Sequence, residues 1–432
     1  MTAPDRSTPP PVAPLAAVSI APATVVTLPG GAALSLTRGG DQPIVKLCLM
    51  WQGGRLDCPD QAAYNVMCDC LLEGSRDFSD SQIADAVDFT GARLSVQGHD
   101  HFTSISLTGL AGTLPSLFDI IRSVIVSPLL ADRSIDVARK RLATAAAIRL
   151  AKVSARADDA ARLLIAGEGH PSAHVVTPQE LSGVTTEAVR RAWRLTVGSG
   201  SAALRAFLGG AYSDSLAAQV SDFISSLPPG ESPVAPLAVV SDSPAPAQTV
   251  TVVMPEAIQS AVVMALPTVN RDHPDYIPLR LAVTALGGYF GSRLMANIRE
   301  KRGLTYGISA SLLGAREGAA MHIAAQCSPG SVQEVIECTR AEIRSLWENP
   351  LSPDETERLR RSAWSALAAQ SDSPLSTMDY YVTQLLVNTP ADYFARSMEA
   401  IRTLSPESVA RMARRYFDAP LRIAVAGPAQ KL

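Results

Sequence analysis

The stretch His273-Pro274-Asp275 is a polar turn opening a helix-patterned run that ends at Leu286. It repeats Cys58-Pro59-Asp60, whose run ends at Leu71-Leu72. The two turns stand 215 residues apart (58 to 273). Ser127-Pro128-Leu129 and Asn349-Pro350-Leu351 each precede a long helical pattern, where proline's fixed φ and missing N–H do little harm. Their separation is 222 residues. Thr185-Thr186-Glu187-Ala188-Val189 and Ser405-Pro406-Glu407-Ser408-Val409, 220 residues apart, both read as helices N-capped by the hydroxyls of Thr185 and Ser405. Each feeds a strand-like run, Ser201 to Leu208 and Leu421 to Ala426. Three landmarks agreeing on nearly one offset predict an ancient doubling.

Each half then reads as strand, strand, helix, strand, strand, long helices, helix and closing strand. The expected fold is α+β, in two homologous domains, each a mixed or antiparallel sheet with helices packed on one face. Between them, residues 227–248 carry Pro228, Pro229, Pro233, Pro236, Pro244 and Pro246, which suit neither ladder nor helix, so an extended linker is predicted. The boundaries expected are a flexible leader over 1–24, a first domain over 25–226 and a second over 249–428. The leader has a single Arg6 beside Asp5 and prolines through its apolar patch, which fits neither a secretory nor a mitochondrial targeting segment.

With 432 residues, 47% of them hydrophobic, the chain has room for two cores in domains of about 200 residues each. The balance of 38 basic against 41 acidic residues gives no electrostatic footprint for nucleic acid or anionic lipid, so proteins or peptides are the expected partners. Six scattered cysteines without a Cys-x-x-Cys pair fit a reducing, cytoplasmic setting. Apolar stretches such as Val250 to Met254 and Ala261 to Pro267 fall far short of the ~20 residues that span a bilayer, and no membrane segment is expected.

The second half carries Gly287-Gly288-Tyr289-Phe290-Gly291-Ser292-Arg293-Leu294, followed by Asn297-Ile298-Arg299-Glu300-Lys301-Arg302-Gly303-Leu304-Thr305-Tyr306-Gly307. In the first half, Leu71-Leu72-Glu73-Gly74-Ser75-Arg76-Asp77-Phe78-Ser79 runs on to Ile83-Ala84-Asp85 and Gly91-Ala92-Arg93-Leu94. Both resemble peptidase family M16, the insulinase and mitochondrial-processing-peptidase family. Together with the duplication, the resemblance covers roughly residues 25 to 428 and implies half of a clamshell. Active members carry His-x-x-Glu-His on the first helix of the first domain, with both imidazoles and the base on one helical face. Aligned on Leu72 and Gly74, this chain has Asn65, Cys68 and Asp69 at those positions. Neutral Asn is a poor zinc ligand, and Cys68 cannot stand in for a carboxylate base. The family's later glutamate ligand also has no counterpart, because Val137 through Ala157 contains no acidic residue.

What the resemblance implies is a zinc-free partner subunit. Arg299 and Tyr306, seven residues apart, match the pair that holds the substrate carbonyl and its oxyanion in the family. Ser292 is expected to cap a short helix before them, and Gly287, Gly288 and Gly291 to form a turn beside the peptide path. No cofactor is expected in this chain; zinc, water and base would come from a His-x-x-Glu-His subunit in a heterodimer, with an extended peptide as substrate. The alternatives are a catalytically inactive scaffold resembling respiratory-complex core proteins, or a homodimeric peptide-binding chaperone.

Smaller features have blander readings. The three glycines show no Lys-Ser/Thr and no dinucleotide spacing. His99 and His101 alternate in a strand-like run, which puts both on one face, either as a chamber lining or as metal ligands. Cys68 and Cys70 read as buried thiols, Arg139-Lys140-Arg141 as a solvated helix face, and His170-Pro171 as a loop without assignable chemistry.

Overall fold

The repeated caps form as their positions predict: Thr185 Oγ1 accepts from the Ala188 amide at 3.2 Å, and Ser405 Oγ from the Ser408 amide at 3.2 Å. The computed structural model of the protein describes residues 7, 14–202, 204–230, 248–314 and 318–429. The first half contains β1 (Thr24–Thr27), β2 (Ala33–Arg38), β3 (Ile44–Gln52), α1 (Gln61–Cys70), α2 (Asp80–Thr90), β4 (Arg93–Gly98) and β5 (Phe102–Leu110). There follow α3 (Phe118–Val126), α4 (Asp132–Leu150), α5 (Val153–Ala166), α6 (Pro178–Gly183), α7 (Thr186–Leu195), β6 (Arg205–Gly210) and α8 (Asp214–Ser225).

The second half contains β7 (Thr249–Val253), β8 (Ser260–Thr268), α9 (Tyr276–Val283), β9 (Thr305–Gly314) and β10 (Ala319–Cys327). It ends with α10 (Val332–Glu348), α11 (Pro353–Ala368), α12 (Pro374–Leu386), α13 (Tyr393–Arg402), α14 (Pro406–Phe417) and β11 (Arg422–Gly427). The strand orders, β1-β2-β6-β3-β5-β4 and β7-β11-β8-β10-β9, are the same once β1 is set aside. In each sheet the closing strand pairs parallel with the first core strand and antiparallel with the second. The doubling read from three landmarks is thus repeated in topology, and the fold is mixed-sheet α+β as expected. β1 and α8 lie outside the repeated pattern and carried no landmark.

Strand alternation divides each sheet between two environments. Val45, Leu47, Leu49 and Trp51 of β3 enter the core under the helices of their own half, while Cys48 and Met50 face the other way. That second face is covered from the opposite half. Met378 of α12 packs with Cys48, Met50, Phe102 and Phe207. Reciprocally, Ala157 and Ala161 of α5 pack on Ala261 and Val263 of β8 and Ala424 and Ala426 of β11. Each half therefore lends one helix to the other's sheet. Burying a Met or Phe in this way stabilises by about 1.5–3 kcal/mol per side chain.

Polar contacts repeat the exchange: Lys46 Nζ pairs with Asp379 Oδ1 at 2.7 Å, and His322 Nε2 lies within hydrogen-bond distance of Asp158 Oδ1 at 3.0 Å. Arg422, only 4% exposed, donates to the carbonyls of Leu164 and Ile165 at 2.8 and 3.2 Å, in the last turn of α5. A cation at a helix C-terminus meets carbonyls that lack intrahelical partners.

Two expectations are revised. The leader is not loose throughout, because residues 14–23 lie along the second half. Trp364 Nε1 donates to the Ala16 carbonyl at 2.9 Å, Tyr381 Oη donates to the Ala21 carbonyl at 2.8 Å, and Val18 and Ile20 pack on the second core. The apolar pair Val18 and Ile20 has a surface to bury against that the sequence could not display. The start of the linker is likewise tied, with the Pro228 and Pro229 carbonyls accepting from the Ser201 and Ala202 amides. Residues 231–247, the bulk of the linker, lie outside the described residues.

Candidate functional site

After β8, α9 runs directly into a π-helical turn over Thr284–Gly288, and a second π-helical segment spans Met295–Lys301. Wider i→i+5 turns of this kind often accompany functional positions. Gly287 allows the first turn to press on β9: a Cβ there would lie 2.6 Å from the Ala310 nitrogen and 2.7 Å from its Cβ. Gly287 is thus buried against the strand, whereas Gly288 and Gly291 are exposed. The expected glycine turn is in part a helix, with one glycine fixed by packing. Ser292 does not cap with its side chain, because its Oγ is buried without a hydrogen-bond partner; the Ser292 carbonyl instead accepts from the Ala296 amide at 2.9 Å.

The polar residues of this segment divide by partner. Arg293 reaches Glu355 Oε1 at 3.0 Å and the Ser345 and Asn349 carbonyls at 2.9 and 2.8 Å, tying the segment to α10 and α11. Those bonds hold the Glu355 carboxyl below the usual carboxylate range in spite of its burial. Asn297 Nδ2 donates to Glu342 Oε1 at 2.6 Å, and Arg302 pairs with Glu334 at 3.1 Å. Arg299 has no acceptor among the described residues. Its guanidinium carbon instead lies 4.8 Å from the centre of the Phe290 ring and 5.4 Å from that of Tyr306. Phe290 is 64% exposed and Tyr306 is 92% exposed. Tyr306 stands on β9, an edge strand. The two residues singled out by sequence are therefore brought together at the surface, in ring-to-cation contact. Phe290 was not singled out, since nothing in a sequence shows which exposed ring a guanidinium will meet.

In the first half, α1 is capped by Asp60, whose Oδ1 accepts from the Ala63 amide at 2.8 Å. Asn65, Cys68 and Asp69 lie along it. Burial pushes the Cys68 thiol up from 9.0 to about 12, although a hydrogen bond with Tyr64 opposes this. A thiol held protonated is a poor metal ligand. Asp69 is engaged by Arg141 of α4, whose Nε donates to Asp69 Oδ2 at 3.2 Å, with a closer contact between Nη2 and Oδ1. A guanidinium thus sits against the carboxylate on the helix where the family places zinc ligands. These residues do not fit a zinc site, and among the described residues no group of three or more His, Cys, Asp or Glu side chains could hold a metal ion.

The basic cluster is also more than a solvated face. Arg139 donates to the Val184 carbonyl at 2.7 Å and pairs with Asp136, and Arg141 is committed to Asp69; only Lys140 is simply exposed. Downstream, Arg149 donates to Asp159 Oδ2 at 2.9 Å. His99 and His101 do not share a strand face, because β4 ends at Gly98 and they lie in the turn leading to β5. His99 Nε2 lies 3.0 Å from Ser104 Oγ, while buried His101 turns its Nδ1 to Asp57 at 3.1 Å. Cys70 is buried and Cys68 half-buried. His170 accepts from the Ser172 amide through Nδ1 at 3.1 Å and lines a cavity of about 1100 Å³ beside the N-terminus of α1, together with Asp57, Asp60 and His174. Neither Arg299 nor Tyr306 lines that cavity.

Comparison with known proteins meets this geometry from outside. Residues 204–363 match the model of the family described as "Peptidase M16 inactive domain". An uncharacterized zinc protease of Streptomyces coelicolor is 24% identical over 293 residues, which make up 67% of this chain and 63% of that protein. The chain thus spans less than two thirds of that relative's length. The crystal structure of a peptidase M16 inactive domain from Pseudomonas fluorescens superposes with a TM-score of 0.83 at 21% identity, covering 95% of this chain and all of the other. A chain of Complex III2 from Candida albicans superposes with a TM-score of 0.71 at 12% identity, covering 94% and 95%. The chain therefore has the fold of the M16 inactive domain and, across residues 204–363, the sequence pattern of that domain family.

Proposed function

We propose that this chain is the zinc-free half of a divided M16 peptidase, and that it binds an extended peptide and polarises the scissile carbonyl opposite the zinc of a His-x-x-Glu-His partner. The observation that carries the reading is the contrast in how arginines are used. Arg293 and Arg302 are bonded to carboxylates, whereas Arg299 is held on two aromatic rings without an acceptor among the described residues, beside an exposed tyrosine on an edge strand. Stacking occupies the faces of a guanidinium and leaves its in-plane N–H groups free. Arg299 and the Tyr306 hydroxyl supply donors for a carbonyl oxygen that gains charge, and a donor of this type is worth about 3 kcal/mol in a transition state. The edge of β9 offers backbone groups to which an extended peptide can add as a strand. Gly288 and Gly291 lie either side of Phe290 in the chain, whose ring meets Arg299, and are exposed, so they are assigned to the peptide path; Gly287 is not.

In this proposal the chain carries no metal, since Asn65, protonated Cys68 and Arg141-bound Asp69 supply no ligand set. It also has no activity alone. Its setting is cytoplasmic, in keeping with six free cysteines among the described residues. No described helix is long and apolar enough to cross a membrane. The test is to purify the chain, measure its zinc content, and mix it with an M16 subunit bearing His-x-x-Glu-His from the same genome, using fluorescence-quenched random decapeptides as probe. Cleavage by the mixture alone, with substoichiometric zinc in this chain, is expected. Chelator-sensitive cleavage by this chain alone overturns the reading.

A second reading, an inactive scaffold, is favoured by the shared fold with a chain of Complex III2. It predicts stable association with a partner but no dependence of any activity on Arg299.

A further inference from the structure

We propose that Phe290 is a positioning residue for Arg299: its ring keeps the guanidinium at the surface, aimed and uncompensated, so that its N–H donors stay available. This rests on the assignment of Arg299 given above. An exposed phenylalanine is by itself ordinary. What distinguishes Phe290 is its place, two residues past the end of the π-helical turn, with its ring centre 4.8 Å from the Arg299 guanidinium carbon, closer than that of Tyr306 at 5.4 Å.

The alternative ways of holding an arginine are displayed a few residues away. Arg293 is fixed by Glu355 and two backbone carbonyls, and Arg302 by Glu334 and Asn297. Both modes consume donors, and the carboxylates neutralise the charge. An aromatic face restrains the same side chain without using a donor. Arginine otherwise has large rotamer freedom, which would be lost at the moment of substrate binding. Tyr306 cannot do this alone while also engaging a carbonyl oxygen, because a phenol that shifts to meet substrate loosens its hold on the cation. Phe290 has no polar group with which to compete, so its task is confined to restraint.

The experiment uses the full chain mixed with its His-x-x-Glu-His partner and fluorescence-quenched random decapeptides. Phe290→Leu keeps apolar bulk at an exposed position but removes the ring. It is expected to lower kcat roughly three- to five-fold with KM nearly unchanged. Phe290→Trp should restore the rate. In an Arg299→Ala background, Phe290→Leu should have no further effect, which a merely structural role would not produce. Thermal melts of each variant separate loss of fold from loss of aim. The inference is overturned if Phe290→Leu leaves kcat unchanged, if its full effect persists without Arg299, or if Trp fails to rescue a folded protein. Should Arg299→Ala itself leave cleavage untouched, the assignment of Arg299 falls first and this role falls with it.

Discussion

The segment that follows β3 and the one that follows β8 hold corresponding places in the two sheets, yet they treat charge in opposite ways. On α1, Asp69 is engaged by Arg141 and Cys68 is a buried thiol pushed up to about 12. Between α9 and β9, Arg293, Asn297 and Arg302 are all bonded to carboxylates on the neighbouring helices, and Arg299 is left on aromatic faces. The difference teaches how to separate structural from available polar groups in a duplicated frame. A charge whose donors are used inside the chain holds the fold, whereas a charge restrained on aromatic rings keeps its N–H donors free.

The sharpest way to break this comparison is to remove the available charge. Arg299→Ala should reduce kcat/KM of the reconstituted peptidase about 100-fold, on the order of 3 kcal/mol, while leaving the melting temperature unmoved. An unaltered rate would make Arg299 one more surface cation. Tyr306→Phe, measured in the same assay, should cost less, since only the hydroxyl is lost.

The exchanged helices offer a second comparison, because α12 contacts the first sheet through large side chains and α5 contacts the second through alanines. Met378→Ala should destabilise by about 2–5 kcal/mol in denaturant titration, through lost burial and the cavity left between Cys48, Met50, Phe102 and Phe207. Ala161→Leu should destabilise by about 1–3 kcal/mol through overpacking. If the alanine contact tolerates leucine freely, the two halves are not tightly apposed there.

The pair on α1 should matter least for stability. Arg141→Met should cost about 0.5 kcal/mol, because the guanidinium is well exposed. Its removal has a sharper use. A triple change, Asn65→His with Cys68→Glu and Asp69→His, should bind zinc poorly, because Arg141 would face the metal; adding Arg141→Glu should raise the bound zinc measured by elemental analysis.

A further comparison is one of pH. Burial raises the thiols of Cys58, Cys68 and Cys70 from 9.0 to about 12 in the folded chain. The folded state thus holds protons that the unfolded state releases above 9.0, so this contribution is complete below that value and is lost as pH rises towards 12. Melting temperatures should fall between pH 9 and 10.5, and Cys68→Ala should flatten the slope slightly. An unchanged melting temperature over that interval would show the thiols to be more open to water than their surroundings indicate.

Much of this was legible beforehand because the signals are local. Thr185 and Ser405 could be recognised as caps, since a cap bonds within its own first turn. That Asn65, Cys68 and Asp69 sit along one helix could likewise be read, because i, i+3 and i+4 share a helical face whatever the rest of the chain does. His99 and His101 were misplaced for the converse reason: alternation predicts a common face only if the strand continues, and here it ends at Gly98. Ser292 failed as a side-chain cap because its hydroxyl is buried without a partner, although its carbonyl accepts from the Ala296 amide.

By itself, then, the sequence determined the doubled α+β plan and the helix starts, both of which depend on chemistry within a few residues or on a repeated spacing. Only the tertiary structure decided that α5 and α12 change places between the sheets, that residues 14–23 lie against the second core, that Arg141 meets Asp69 and that Phe290 and Tyr306 flank Arg299. Most of those contacts join residues far apart in the chain, the rings about Arg299 depend on how a π-helical segment and an edge strand meet, and the chain's own periodicities do not encode which surfaces will come together once both sheets have formed.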